Sequence, residues 1–219
     1  MHLWMIRHAQ PIVAAGVCYG ALDVPADVDA NEQAAQQLAR SLPQGLQVLH
    51  STALRCTQLA MRLHQLRPDI GPLPEPDLRE MNFGQWEGQP WADIAPQDLK
   101  AWTDDFENYH CGGHGECVLN FMLRVQRAAQ RTAQLIAVST AAGVDLDAAA
   151  LAPLLMHEPQ AAWITHAGVL RATAWLAPRF GWNHPLASPL CLRAAAWPRD
   201  ALPFGAYRPV HWPSHPSSH

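Results

Sequence analysis

Arg7 and His8 stand side by side at the end of a short apolar run. Three further polar groups occupy comparable settings: Ser51 with Arg55, Glu80 within LREMNFGQWEG, and Thr165 with His166. These residue types suit chemistry on a phosphate ester, whose charged oxygens must be held while phosphorus changes partners. The planar guanidinium groups of Arg7 and Arg55 can make paired, charge-assisted hydrogen bonds to those oxygens. Amides near Ala9 or Gly168 can complete an anion-binding nest. His8 is the candidate nucleophile, forming a phosphohistidine, and His166 a donor to the transferred group. The departing oxygen needs a proton, and Glu80 is the best candidate acid. Enclosure beside Phe83 and Trp86 suits a proton donor, and the same carboxylate can later accept a proton from attacking water. This chemistry requires no metal and no cofactor.

Groups so distant in sequence can meet only if strand ends bring them together. Residues 2–6 read as a buried first strand. Residues 7–25 contain Gly16, Gly20, Pro11 and Pro25 without helical periodicity, and so form a long loop. Asp29 is expected to cap a helix over 30–42 with Ala34, Ala35 and Leu38 facing inward. Residues 46–50 read as a second strand. Ser51 is then the expected cap of a helix running to about residue 66, with Leu54, Leu59, Ala60 and Leu63 toward the core. Residues 67–76 are turn-like, and the longest helical pattern runs from 116 to about 138. A short helix is expected within 143–159, a third strand over 161–165, a helix over 168–176 and a returning strand over 190–197. Strand, polar junction and helix in succession describe an open α/β sheet with ligand groups at its strand ends. One domain over 1–208 is expected, followed by a flexible tail over 209–219. His211, His215 and His219 recur every four residues in that tail, but the proline-rich setting lacks the other ligands of a metal site.

The composition narrows the class. With 219 residues and 49% hydrophobic content, the chain can bury a sizeable core. Five cysteines without a CxxC pair argue against a disulfide scaffold and for a reducing compartment. The apolar start reaches Arg7 too soon for a signal peptide, and no 18-residue apolar stretch offers a membrane span. A net charge of −4 gives no general reason to bind nucleic acid. Lys100 is the only lysine and sits in no glycine-rich frame, which removes Schiff-base and P-loop chemistry. The expectation is a cytoplasmic chain acting on a small phosphorylated metabolite, away from membrane and nucleic acid, and able to exist as a homodimer.

The motifs themselves resemble the histidine phosphatase superfamily, which includes cofactor-dependent phosphoglycerate mutases and many small-molecule phosphatases. RHAQ from Arg7 matches an Arg-His-Gly motif except at Ala9. STALRCTQLA from Ser51 matches a Ser-x-x-x-Arg segment, LREMNFGQWEG from Leu78 an acid-bearing loop, and THAG from Thr165 a second-histidine motif with Ala167 where glycine is frequent. The four occur in family order. The resemblance implies a three-layer α/β/α fold with a mostly parallel sheet and a metal-free phosphohistidine mechanism. It makes Arg7, His8, Arg55 and His166 the phosphate-binding set, with His8 the nucleophile and Glu80 the proton donor. Residues 17–25 (VCYGALDVP) and 114–125 (HGECVLNFMLRV) are similar to segments of α-ribazole phosphatases of cobalamin nucleotide-loop assembly. Cys18, Tyr19, Phe83 and Trp86 are then expected at the substrate mouth. The reading is a phosphomonoesterase, with α-ribazole 5′-phosphate as a candidate substrate. Its alternatives are a phosphoglycerate-type mutase and a catalytically weak phosphate- or protein-binding member.

Overall fold

The computed structural model describes residues 1–142, 160–184, 186 and 190–214. Alternation along the first strand sets the architecture. In β1 (His2–Arg7), Leu3 and Met5 turn to one face of the sheet and Ile6 to the other, all fully or almost fully buried. The same division holds in β4 (Gln160–Thr165), where Ala161 and Trp163 face one layer and Ala162 and Ile164 the other. A sheet buried on both faces needs helices on both faces. Helices α1 (Val28–Ser41) and α2 (Leu54–Leu66) cover one, through Ala34, Ala35, Leu38, Leu59, Ala60 and Leu63. Helices α4 (Val118–Ala142) and α5 (Ala167–Leu176) cover the other. The five-stranded sheet has the order β3-β2-β4-β1-β5, with β2 at Gln47–His50, β3 at Leu73–Pro74 and β5 at Tyr207–His211. All pairings are parallel except β1 with β5. The result is an α/β fold with a central mixed sheet.

The order matters more than the strand count. β4 enters between β2 and β1, so three strands that are distant in sequence end side by side. Arg7 pairs in register with Thr165 and His50 with Ile164, and the next amides continue the ladder: His8 N–H donates to Thr165 O and Ser51 N–H to Ile164 O. The residues that follow the three strands, His8, Ser51 and His166, therefore emerge together.

Several expectations change. The cap of α1 is Asp27, whose carboxylate accepts the Ala30 N–H at 2.9 Å, while Asp29 lies inside the first turn. Ser51 does not cap α2. That helix begins three residues later, and Asp23, from the long loop, accepts the Leu54 N–H at 2.6 Å, leaving Leu54 exposed. Helix α3 (Pro96–Asp104) was not expected; it buries none of its residues, so it leaves no core-facing period in the sequence. The run over 190–197 is not a strand but an irregular strap with one short turn at Ala194–Ala196. The returning strand is β5, so the tail expected from 209 instead begins inside the sheet, and Trp212 beyond it is fully buried. The helix expected within 143–159 lies outside the described residues, as do His215 and His219. No described helix is long and apolar enough to cross a membrane.

Because its carboxylate satisfies an otherwise orphaned helix donor, Asp27→Ala should lower unfolding free energy by about 1 kcal/mol in urea titration. Asp29→Ala should cost less than half of that.

Candidate active site

The His8 and His166 rings lie with centroids 5.1 Å apart, at the ends of adjacent parallel strands, and both are essentially sealed from solvent. Nδ1 of His8 is 2.7 Å from the Ala9 carbonyl oxygen. A carbonyl can only accept, so Nδ1 carries the proton and Nε2 keeps its lone pair. Burial, reinforced by the Arg55 charge, lowers the His8 pKa to about 3. His166 is likewise pushed well below the ordinary imidazole value, first by burial and then by Arg55 and His8. The pair is thus neutral throughout the physiological range. His166 Nε2 lies 2.7 Å from the Ser51 hydroxyl and 3.5 Å from the Cys56 sulfur. Ser51, expected as a helix cap, is therefore a partner of the second histidine.

Arg55 enters from the first turn of α2 and is completely buried. Its two terminal nitrogens donate to the carbonyls of Leu22 and Gly20, both at 2.8 Å. Arg7 donates to the Leu202 carbonyl at 2.6 Å and lies over the Phe204 ring at 3.8 Å. Each of these arginines keeps a buried Nε–H with no acceptor among the described residues. Tyr19 lies close to both, near enough for its phenol to favour the charged form of Arg7 and with its ring 5.2 Å from the Arg55 guanidinium carbon.

Glu80 is docked by backbone. Its carboxylate accepts the Gly168 amide at 2.9 Å and the Met81 amide at 3.0 Å. The Gly168 amide, expected to help hold an anion, is thus occupied by the acid itself. A Cβ at 168 would displace that carboxylate, so glycine here is what lets Glu80 dock on the amide. Arg124, from α4, clamps the same loop by donating to the carbonyls of Asp77, Arg79 and Glu80 while paired with Glu116. Gly112 and Gly115 serve packing too. Gly84 and Gly112 both have positive φ, and a Cβ on either would strike the backbone of the opposing loop. This close approach ties 82–86 to 111–116 and fixes the loop that carries Glu80 and Phe83.

Beside these groups lies a cavity of about 310 Å³ lined by Arg7, Tyr19, Glu80 and Phe83, among others. Two residues expected at its mouth lie elsewhere: Cys18 and Trp86 are buried in the core behind the wall, where burial lifts the Cys18 thiol to about 12. Thr165 faces away as well, donating to the Leu78 carbonyl. Ala9, which departs from the glycine of the motif, is buried without a positive φ, so its methyl group imposes no backbone strain. Sequence reading missed Arg124, Glu87 and Glu107. Glu87 gathers the amides of Ala21, Leu22 and Phe83, and Glu107 those of Leu190 and Leu192. Only the burial-prone setting of Arg124, between apolar residues of a long helix, could have singled it out.

The sequence profile of the histidine phosphatase superfamily (branch 1) matches residues 3–144. Among solved structures, the chain is similar to the protein TTHB049 of Thermus thermophilus, with 25% identity, a TM-score of 0.62 and coverage of 98% of this chain and 96% of that one. A phosphoglycerate mutase from the same organism is similar at 25% identity and a TM-score of 0.61, covering 98% and 95%. A mycobacterial glucosyl-3-phosphoglycerate phosphatase shares the fold at 24% identity and a TM-score of 0.60, covering 80% and 79%. No curated protein sequence matches the chain significantly.

The neutral histidines predict an acid limit on stability. In the unfolded chain each takes up a proton near pH 6.5, but folded His8 does so only near pH 3. The His8 contribution is therefore complete above pH 6.5 and is lost as pH falls toward 3, by up to about 1.4 kcal/mol per pH unit, and His166, shifted in the same direction, acts with the same sign. Urea unfolding between pH 6 and 4 should show this slope, reduced by about one proton in His8→Asn; an unchanged slope would contradict the assignment.

Proposed function

Because the chain belongs to the histidine phosphatase superfamily (branch 1), we propose that it is a phosphomonoesterase working through a phosphohistidine at His8, without a metal. One observation carries the reading: two buried arginine Nε–H groups without acceptors flank a neutral imidazole whose Nε2 is free. A phosphoryl group supplies the missing acceptors and the electrophile together.

In the first step, His8 Nε2 forms a bond to phosphorus as the bond to the alcohol oxygen breaks, and Glu80 gives that oxygen its proton. Arg7 and Arg55 neutralise the equatorial oxygens through their unpaired Nε–H donors. The Ser51 hydroxyl donates to His166 Nε2, which leaves Nδ1–H of His166 to donate to the transferred group. The Ala9 carbonyl holds the proton on His8 Nδ1 and stabilises the positive charge that develops on the ring. In the second step, water attacks phosphorus, passes its proton to Glu80, and the nitrogen–phosphorus bond breaks. Neutral His8 is restored and phosphate leaves.

The finer reading takes α-ribazole 5′-phosphate as the substrate. It is supported by the similarity over 17–25 and 114–125, and Val17, Tyr19 and Gly20 of the first segment line the cavity. The similarity to a phosphoglycerate mutase favours a second reading, in which the phosphoryl group returns to another oxygen of a retained intermediate. Isomer conversion exceeding phosphate release would establish it in place of hydrolysis.

Incubation with a panel of phosphate esters in EDTA should release phosphate and leave an acid-labile, base-stable phosphoryl group on His8. His8→Ala should abolish both signals. Glu80→Gln should lower kcat by about 10²–10⁴-fold. Complete dependence on a divalent cation, or full turnover by His8→Ala, would overturn the mechanism.

A further inference from the structure

We propose that the cavity lined by Arg7 and Glu80 is an aromatic-ring subsite, selecting phosphomonoesters whose alcohol carries a flat, uncharged ring system. The inference deepens the phosphomonoesterase reading and rests on it. The far wall of the cavity is formed by Phe83, Trp91, Trp102, Phe106 and Trp197. These rings make one continuous surface. Phe83 stands edge-on to Trp91 and Trp102 at 5.2 and 6.0 Å, and Trp91 and Trp102 are nearly parallel at 16°. Phe106 joins Trp102 at 5.5 Å to Trp197 at 5.7 Å. Four of the five are only partly buried, and all five line the cavity as well as packing on one another. A flat ring of the substrate would find edge and face partners already in place.

The charges point the same way. Among the described residues lining the cavity, only Arg7, Glu80 and Arg171 are ionisable cations or carboxylates. Arg7 and Glu80 serve the phosphoryl group, and Arg171 rises from α5 near enough to depress the Arg7 pKa. Arg171 also donates to the Arg199 carbonyl at 3.3 Å, and none of the three belongs to the aromatic wall, so a carboxylate or second phosphate seated against the indole and phenyl rings would have no counter-charge from that wall. The Trp102 indole N–H is buried with no acceptor among the described residues. A nitrogen or oxygen within the substrate ring system would supply one.

Most of this wall stands on segments other than those that carry Arg7, His8, Arg55 and His166. Trp91 and Trp102 come from the turn and helix over 91–104, and Trp197 from the strap before β5. Glu107 anchors that strap by accepting the Leu190 and Leu192 amides at 2.8 and 2.9 Å. Apart from Phe83, which shares the Glu80 loop, the wall is thereby built from segments that carry none of the phosphoryl-handling groups.

The test compares esters of equally poor leaving groups, so that ring binding is not confused with leaving-group acidity. Phosphate release from ethyl phosphate, 2-(1-naphthyl)ethyl phosphate and 3-phosphoglycerate is measured with the wild-type chain, Trp102→Ala and Trp197→Ala. The wild type should favour the naphthyl ester over ethyl phosphate by about tenfold or more in kcat/KM. Each variant should reduce that ratio mainly through KM. If a variant does not fold, the wild type still decides the matter: 2-(1-naphthyl)ethyl phosphonate should inhibit it at least about tenfold more tightly than ethyl phosphonate. Equal kcat/KM for the two esters, equal inhibition, or a preference for 3-phosphoglycerate would overturn the ring subsite. No phosphate release and no phosphohistidine from any ester would instead overturn the phosphomonoesterase reading.

Discussion

Two imidazole rings held 5.1 Å apart and shielded from water strongly favour the neutral form of both at rest. That constraint governs much of the surrounding structure. It requires β1 and β4 to be neighbours, which the insertion of β4 beside β2 provides. It requires partners that hold neutral rings, which the Ala9 carbonyl and the Ser51 hydroxyl supply. It also makes the nearby arginines useful in two ways. Arg55 raises the cost of protonating either histidine, and it offers an unpaired donor to an incoming anion. A nucleophile kept unprotonated by burial needs no separate base to activate it.

Around that pair, the other groups are fixed by backbone as much as by side chains. Glu80 is held by the amides of Met81 and Gly168, and the loop bearing it is clamped from behind by Arg124. Arg7 is anchored through the Leu202 carbonyl and Phe204, on the strap that returns to β5. Arg55 is oriented by two carbonyls of the loop after β1. Such anchoring limits the reorganisation needed as charge develops on phosphorus, which is the condition for electrostatic stabilisation to be effective.

The strands β1, β2 and β4 and the helices α1, α4 and α5 were legible because a buried face leaves a period in the sequence. Where burial leaves no period, the reading failed. Helix α3 buries nothing; β3 is two exposed residues; and β5 carries Pro209, tolerated because this strand pairs only with β1 at the edge. The apolar run over 190–197 looks like a strand because two of its side chains are used outside the sheet, Leu192 in the core and Trp197 in the cavity lining. Among site residues, His8, His166, Arg7, Arg55 and Glu80 could be named from type and context. Their supports could not: Asp23 reaches 31 positions to Leu54, and Glu107 reaches 83 to Leu190. The misplacement of Cys18 and Trp86 has the same origin, since sequence alone does not say which face of a loop meets the core.

The central claim is that phosphorus passes through His8. Its most direct test is the stereochemical course at phosphorus, followed with an ester made chiral by oxygen isotopes. Two successive in-line displacements, to His8 and then to water, predict overall retention of configuration. Inversion would mean a single direct attack by water and would contradict the account.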